Sequence, residues 1–153
     1  MKKVVVVSDS HLKNDRLRKV LELHSDADYF LHCGDSELNK EEIEPFLTVL
    51  GNNDFADFPS ELVITIEEIR FFICHSHLHF SYFNKYLPMI DKAKKLNCSH
   101  ILFGHTHIYT DKIIDGIRLL NPGSLAYNRD LSKPSYMIIE VNKKELKVKR
   151  YEI

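Results

Sequence analysis

Cysteine is scarce in this 153-residue chain: Cys33, Cys74 and Cys98 are an odd number without CxxC spacing. That excludes a disulfide framework and a thiolate zinc knuckle, and leaves reduced thiols as the expectation. Charge of one sign is also lacking, with 21 Lys and Arg against 22 Asp and Glu and a formal charge of -1. A chain so balanced has no overall attraction for polyanions, which argues against a binder of long nucleic acid. No long hydrophobic run exists either. After Met1-Lys2-Lys3 the apolar stretch Val4 to Val7 stops at Ser8-Asp9, too short for a signal-peptide core or a membrane span, so a cytoplasmic protein without membrane association is expected. Repeats, linkers and low-complexity segments are absent as well, and 44% hydrophobic content in one uninterrupted piece predicts a single compact domain over residues 1–153.

What is present begins with alternation of strand and helix. Lys2 to Val7 is a β-branched run of the kind buried on both faces of a parallel or mixed sheet. Leu17, Val20, Leu21 and His24 then fall at helical spacing, with Asn14 or Asp15 as cap. Strands are predicted over Asp28 to Cys33 and Phe46 to Leu50, with an acidic helix from Asn39 to Glu44 between them. Leu62 to Ile66 and Ile69 to Cys74 form a hairpin turning at Glu67-Glu68. A helix over Asn84 to Leu96 must take Pro88 in its first turn or kink there, and a short strand covers Ile101 to Phe103. The last third reads as a meander: Ile108 to Ile114 and Ile117 to Leu120 flank Asp115-Gly116, a type I′ hairpin signal, and Ser135 to Val141 pairs with Glu145 to Tyr151. The class is mixed α/β.

Nine histidines are many for this length, and several are paired at a spacing of two. Asp9 and His11, Asp35, Asn52, His75, and His105 with His107 each follow an apolar strand. Ligand sites of open α/β sheets lie beyond the carboxyl ends of strands, so five loops can converge on one centre. Two carboxylates, one amide oxygen and four imidazoles suit manganese, iron, nickel or zinc and are too rich in nitrogen for calcium or magnesium alone. Seven ligands exceed what one ion takes from protein. Two divalent ions per chain are therefore expected, manganese first with nickel, iron or zinc as alternatives, and Asp35 as the bridging carboxylate.

The segments Asp9-Ser10-His11, Gly34-Asp35, Gly51-Asn52, His75, Gly104-His105-Thr106-His107 and Asn121-Pro122-Gly123-Ser124 resemble, in order and spacing, the motifs of calcineurin-like metallophosphoesterases. The short length is similar to the small bacterial and archaeal phosphodiesterases of that superfamily. This resemblance implies two mixed β-sheets packed as a sandwich with helices outside, in four αββα layers. It also implies Asp9, His11, Asp35 and His107 on one metal, and Asp35, Asn52, His75 and His105 on the other. Attack on a small phosphodiester or nucleotide-derived substrate by a hydroxide between the metals would then need no Ser or Cys nucleophile. Two departures stand out. Asn53 occupies the place where many relatives carry the histidine that protonates the leaving group. Ser76 separates His75 from His77 where relatives commonly have glycine. His77 is expected to orient a ligand or contact the phosphate, and Asp54 to fix a ligand imidazole or His77.

His24, His32, His79 and His100 match no motif and are read as hydrogen-bonded structural groups, and Cys33 and Cys74 as small core residues. Phe80, Tyr82, Phe83 and Tyr86 can stack a base or an aryl group, or make a lid or a homodimer contact. Arg129 is a candidate phosphate contact whose bland alternative is a solvated loop cation. The competing function is a catalytically weak protein-interaction scaffold, because the superfamily includes a retromer subunit of that kind. Loss of metal-binding histidines would favour it, and none is lost.

Overall fold

The computed structural model describes residues 1–153. Strands β1 (Lys2–Val7), β2 (Tyr29–His32), β3 (Leu47–Thr48), β4 (Glu61–Ile66), β5 (Ile69–Cys74), β6 (His100–Leu102), β7 (Thr110–Ile114), β8 (Ile117–Asn121), β9 (Ser135–Asn142) and β10 (Glu145–Glu152) are joined by helices α1 (Asn14–Leu23), α2 (Lys40–Ile43) and α3 (Leu87–Lys95). They form two five-stranded sheets of order β10-β9-β1-β2-β3 and β4-β5-β6-β8-β7. Both are mixed: β1, β2 and β3 run parallel in the first, as do β5, β6 and β8 in the second.

The two-residue period of a strand explains the layers. Val4 and Val6 point between the sheets, where they meet Ile69, Phe71, Ile73, Leu102, Met137 and Ile139. Val5 and Val7 point outward onto Leu17 and Val20 of α1 and Ile43 of α2. On the other sheet Phe72 and Cys74 face Met89, Ile90 and Ala93 of α3. The order is thus helix, sheet, sheet, helix, and a continuous apolar run at β1 is required because both of its faces are covered.

Several sequence expectations need correction. The last third is not one meander, because the β7–β8 hairpin belongs to the second sheet and β9–β10 to the first. Strand β3 keeps only two residues, since Leu50 leaves the ladder to donate its amide to the Pro59 carbonyl. Helix α1 starts from Lys13 with no side-chain cap, so neither Asn14 nor Asp15 has that role. Helix α3 starts at Leu87 rather than Asn84, with Pro88 in its first turn. At α2, by contrast, Asn39 and Glu42 make a full capping box. Asp115 and Gly116 have φ of 53° and 78°, the two positive values that a type I′ turn demands.

Two histidines, His32 buried and His100 half-buried, give the fold an acid limb. Burial pushes the pKa of His32 down to about 4, and burial with the nearby Arg118 guanidinium does the same for His100. Both are neutral in the folded chain, whereas an unfolded histidine takes up a proton below about pH 6.5. The unfolded state therefore binds more protons between these values, and stability falls as pH drops from about 6.5 towards 4. For His32 alone the loss approaches roughly 3 kcal/mol. Urea unfolding at stepped pH is expected to show this slope in the wild type and a shallower one in His32→Gln.

Candidate metal centre

Every candidate ligand lies just past the carboxyl end of a strand: Asp9 and His11 after β1, Asp35 after β2, Asn52 after β3, His75 after β5, and His105 with His107 after β6. The chain turns sharply there. Asp9, His11, Asp35, His105 and His107 have φ of 51°, 42°, 60°, 70° and 56°, all in the left-handed region. Each such residue costs on the order of 1–3 kcal/mol and persists where surrounding structure enforces it, which is the pattern of a functional centre.

The side chains converge on one another. Asp9 Oδ1 is 3.1 Å from His107 Nε2, 3.7 Å from His11 Nε2 and 3.8 Å from His75 Nε2. Asp35 Oδ2 is 3.4 Å from His75 Nε2 and 3.9 Å from His11 Nε2. Asn52 Oδ1 lies 3.0 Å from both His75 Nε2 and His105 Nδ1. Atoms that share one ion at a bond length of about 2.0–2.2 Å sit roughly 3.0–3.6 Å apart, which these separations approach. Two overlapping sets, Asp9 with His11 and His107, and Asp9 with Asp35 and His75, each bring three such atoms within one ion's reach.

Hydrogen bonds fix which ring nitrogen faces the centre. His75 Nδ1 donates to the Cys33 carbonyl at 2.7 Å, and His107 Nδ1 donates to the Tyr127 carbonyl at 3.0 Å. Their Nε2 lone pairs are thereby turned inward, as metal-binding imidazoles require. Asp9 Oδ2 accepts from Ser8 Oγ and from the His105 amide, yet Oδ1 is buried with no hydrogen-bond partner. An unpartnered carboxylate oxygen facing histidine lone pairs needs a cation. The electrostatics agree. Burial opposes a charge on Asp9 and Asp35, but His107 and His75 outweigh it at Asp9, and His75 with Asn53 at Asp35, so both carboxyls ionise below the usual range. Burial likewise opposes a charge on His75, and Asp35 and Asp9 overcome it, raising its pKa. The same negative field would hold a metal.

The family model of the calcineurin-like phosphoesterase superfamily domain matches residues 1–144. The chain belongs to the calcineurin-like phosphoesterase superfamily. A probable metallophosphoesterase of Bacillus subtilis is 34% identical over 153 residues, spanning 97% of this chain and 90% of that protein. A phosphodiesterase of Methanocaldococcus jannaschii is 27% identical, over 94% and 95% of the two chains. Among solved structures, a predicted phosphoesterase of Streptococcus pneumoniae superposes with a TM-score of 0.89 at 28% identity, covering 99% of this chain and 89% of that one. A Vps29 of Entamoeba histolytica shares the fold, with a TM-score of 0.76 at 23% identity over 99% of both chains. This calcineurin-like chain is accordingly a metal-dependent phosphoesterase of the two-sheet fold.

Its departures from the superfamily pattern now have structural content. Asn53 donates its backbone amide to Asp35 Oδ1 and its side-chain amide to Asp35 Oδ2, both at 2.8 Å, so it fixes the carboxylate instead of offering an acid. Ser76 adopts φ of 89°, where glycine is at ease, and holds only a 3.3 Å bond to the Gly104 carbonyl. Ser76→Gly is therefore expected to raise stability by about 1 kcal/mol, read as a higher urea midpoint at unchanged slope.

Asp54 touches no ligand imidazole and does not touch His77, contrary to expectation. Its carboxylate accepts from the amides of Asp35, Glu37 and Gly51 at 2.9, 2.8 and 2.7 Å, joining the loops after β2 and β3. The reason lies in the turn, which aims the residue back at its own backbone. His77 packs beside His75 and His105 with ring centroids 5.3 and 6.2 Å away, and its buried Nδ1 has no partner. Arg129 is exposed and reaches the His105 carbonyl at 3.4 Å. Asn121 bonds Gly104 and Thr106, and Ser124 Oγ donates to the Asp9 carbonyl, so the Asn-Pro-Gly-Ser turn clamps two ligand loops. Sequence reasoning left His32 as a generic structural group. It accepts from the Gly34 amide on Nδ1 and hence donates from Nε2 to Ser10 Oγ, joining the first two ligand loops. No spacing rule marks such a residue; its position next to Cys33-Gly34-Asp35 is the one available signal.

Proposed function

We propose that this chain is a cytoplasmic phosphodiesterase that hydrolyses small phosphate diesters with two divalent ions, manganese first among them. The observation that carries this reading is the buried, unpartnered Asp9 Oδ1 facing the Nε2 atoms of three histidines. Asp9, His11 and His107 would hold one ion, Asn52, His75 and His105 the other, with Asp35 between. Asp35 Oδ2 faces one histidine of each set, His11 at 3.9 Å and His75 at 3.4 Å, which supports placing it between them. Bound ions would supply positive charge to the phosphoryl oxygens and a water acidic enough to attack at neutral pH.

The protein's own part is to position and to exclude. Backbone carbonyls of Cys33 and Tyr127 keep the proton on Nδ1 of His75 and His107, so neither ring can turn its lone pair away. Asn53 holds both oxygens of Asp35, and His77 and Arg129 border the site where a phosphate would enter. The leaving group would therefore take its proton from solvent or from a group other than Asn53. A scaffold role rests on fold likeness to Vps29 alone, while the complete ligand set supports chemistry.

Hydrolysis of bis(p-nitrophenyl) phosphate by metal-stripped protein, with manganese, nickel, zinc or magnesium restored in turn, tests the reading. Activity returning with metal is the expected result. No hydrolysis with any ion would defeat the diesterase reading.

A further inference from the structure

Beside the metal centre a basic and aromatic strip runs over the protein surface. It starts at His105, whose ring lies 5.8 Å from Phe80, and continues from Phe80 to Tyr86 at 6.4 Å. Lys85 Nζ stands 5.7 Å from the Phe80 ring and 5.3 Å from the Tyr86 ring, and Lys112 Nζ lies 4.4 Å from the same Tyr86 ring. Both lysines are exposed, and neither has a carboxylate within ion-pair distance, because the acids beside them are taken: Asp111 by Arg118 and Asp115 by Lys94. Their contacts with the rings hold two unneutralised positive charges in place next to the site. The same loop carries Tyr82 and Phe83, which are 96% and 95% exposed and leave open faces for an unstacked base.

Cations interleaved with exposed aromatic rings are the recognition chemistry of single-stranded nucleic acid, in which lysines take phosphates and rings take bases. The strip is short and the chain as a whole carries a formal charge of -1, so it fits one or two phosphates and not a polymer. We infer that the substrate is a short single-stranded oligonucleotide in which a further phosphate, next to the scissile diester, is held by Lys85 and Lys112. This rests on the diesterase reading above and narrows it to one substrate class.

The test compares thymidine dinucleotides that carry a phosphate at the 5′ end, at the 3′ end, or at neither. It uses the manganese-loaded wild type and Lys85→Gln/Lys112→Gln, which keeps both stems and removes both charges. A charge-assisted phosphate contact of about 1.4 kcal/mol is a tenfold effect. One phosphorylated dinucleotide should thus show kcat/KM roughly tenfold above the bare one in the wild type, with that ratio falling towards one in the double variant. Calorimetric affinity for the same ligands, measured on the Asp35→Asn chain, carries the comparison without turnover. Its logarithm should fall with the logarithm of salt concentration by about 0.7 per phosphate contacted. A ratio near one in the wild type, or a tenfold ratio that survives the double substitution, would overturn the inference. If bis(p-nitrophenyl) phosphate is hydrolysed in either case, the diesterase reading still stands; if no diester is hydrolysed, that reading has failed first.

Discussion

Asp35→Asn is expected to lower metal-dependent hydrolysis of a phosphodiester by more than about 100-fold, because loss of a group that merely orients a ligand already costs 10–100-fold. Asp35 stands nearer the chemistry than that. Its Oδ2 faces His75 on one side and His11 on the other, and both of its oxygens are held by Asn53. Asparagine is the informative replacement, since it tolerates the φ of 60° at this position and so isolates the loss of charge from a change of backbone. The check is kcat/KM with saturating manganese beside an unfolding curve. A variant that folds like the wild type and loses under tenfold would show that Asp35 is not the bridge.

The second large effect is expected at Asp54. Alanine there strands three amides, those of Asp35, Glu37 and Gly51, that now share one carboxylate. A partly buried donor without an acceptor costs about 1–3 kcal/mol, so a total near 3 kcal/mol is expected, or roughly 6–12 °C in Tm for a chain of this size. Activity should fall as well, by about tenfold or more, because the loop that aims Asp35 is released. Asp54→Asn keeps one acceptor oxygen and should lie between the two. Thermal unfolding together with kcat/KM measures both consequences, and a variant that loses activity with its Tm intact would return Asp54 to the role first expected of it, fixing a ligand imidazole or His77.

Much of this was legible in the residues. An apolar run that leads into Asp, Asn or His places that side chain past a strand end, and five such runs make one centre with no alignment needed. The hairpin at Glu67-Glu68 and the turn at Asp115-Gly116 were readable because register within a hairpin is local. Assigning hairpins to sheets was not, because whether β9 joins β1 or extends from β8 depends on which faces are buried across the sandwich. The supporting shell was the least legible part. Asp54 and His32 act on backbone groups, and Asn53 reads from sequence as a missing acid although its amides hold the central carboxylate.

The central claim, two ions shared through Asp35, is most directly tested by counting metal. Elemental analysis of manganese-loaded, desalted protein should give two ions per chain in the wild type and a lower content in Asp35→Asn. One ion or none in the wild type, or two retained in the variant, would contradict it.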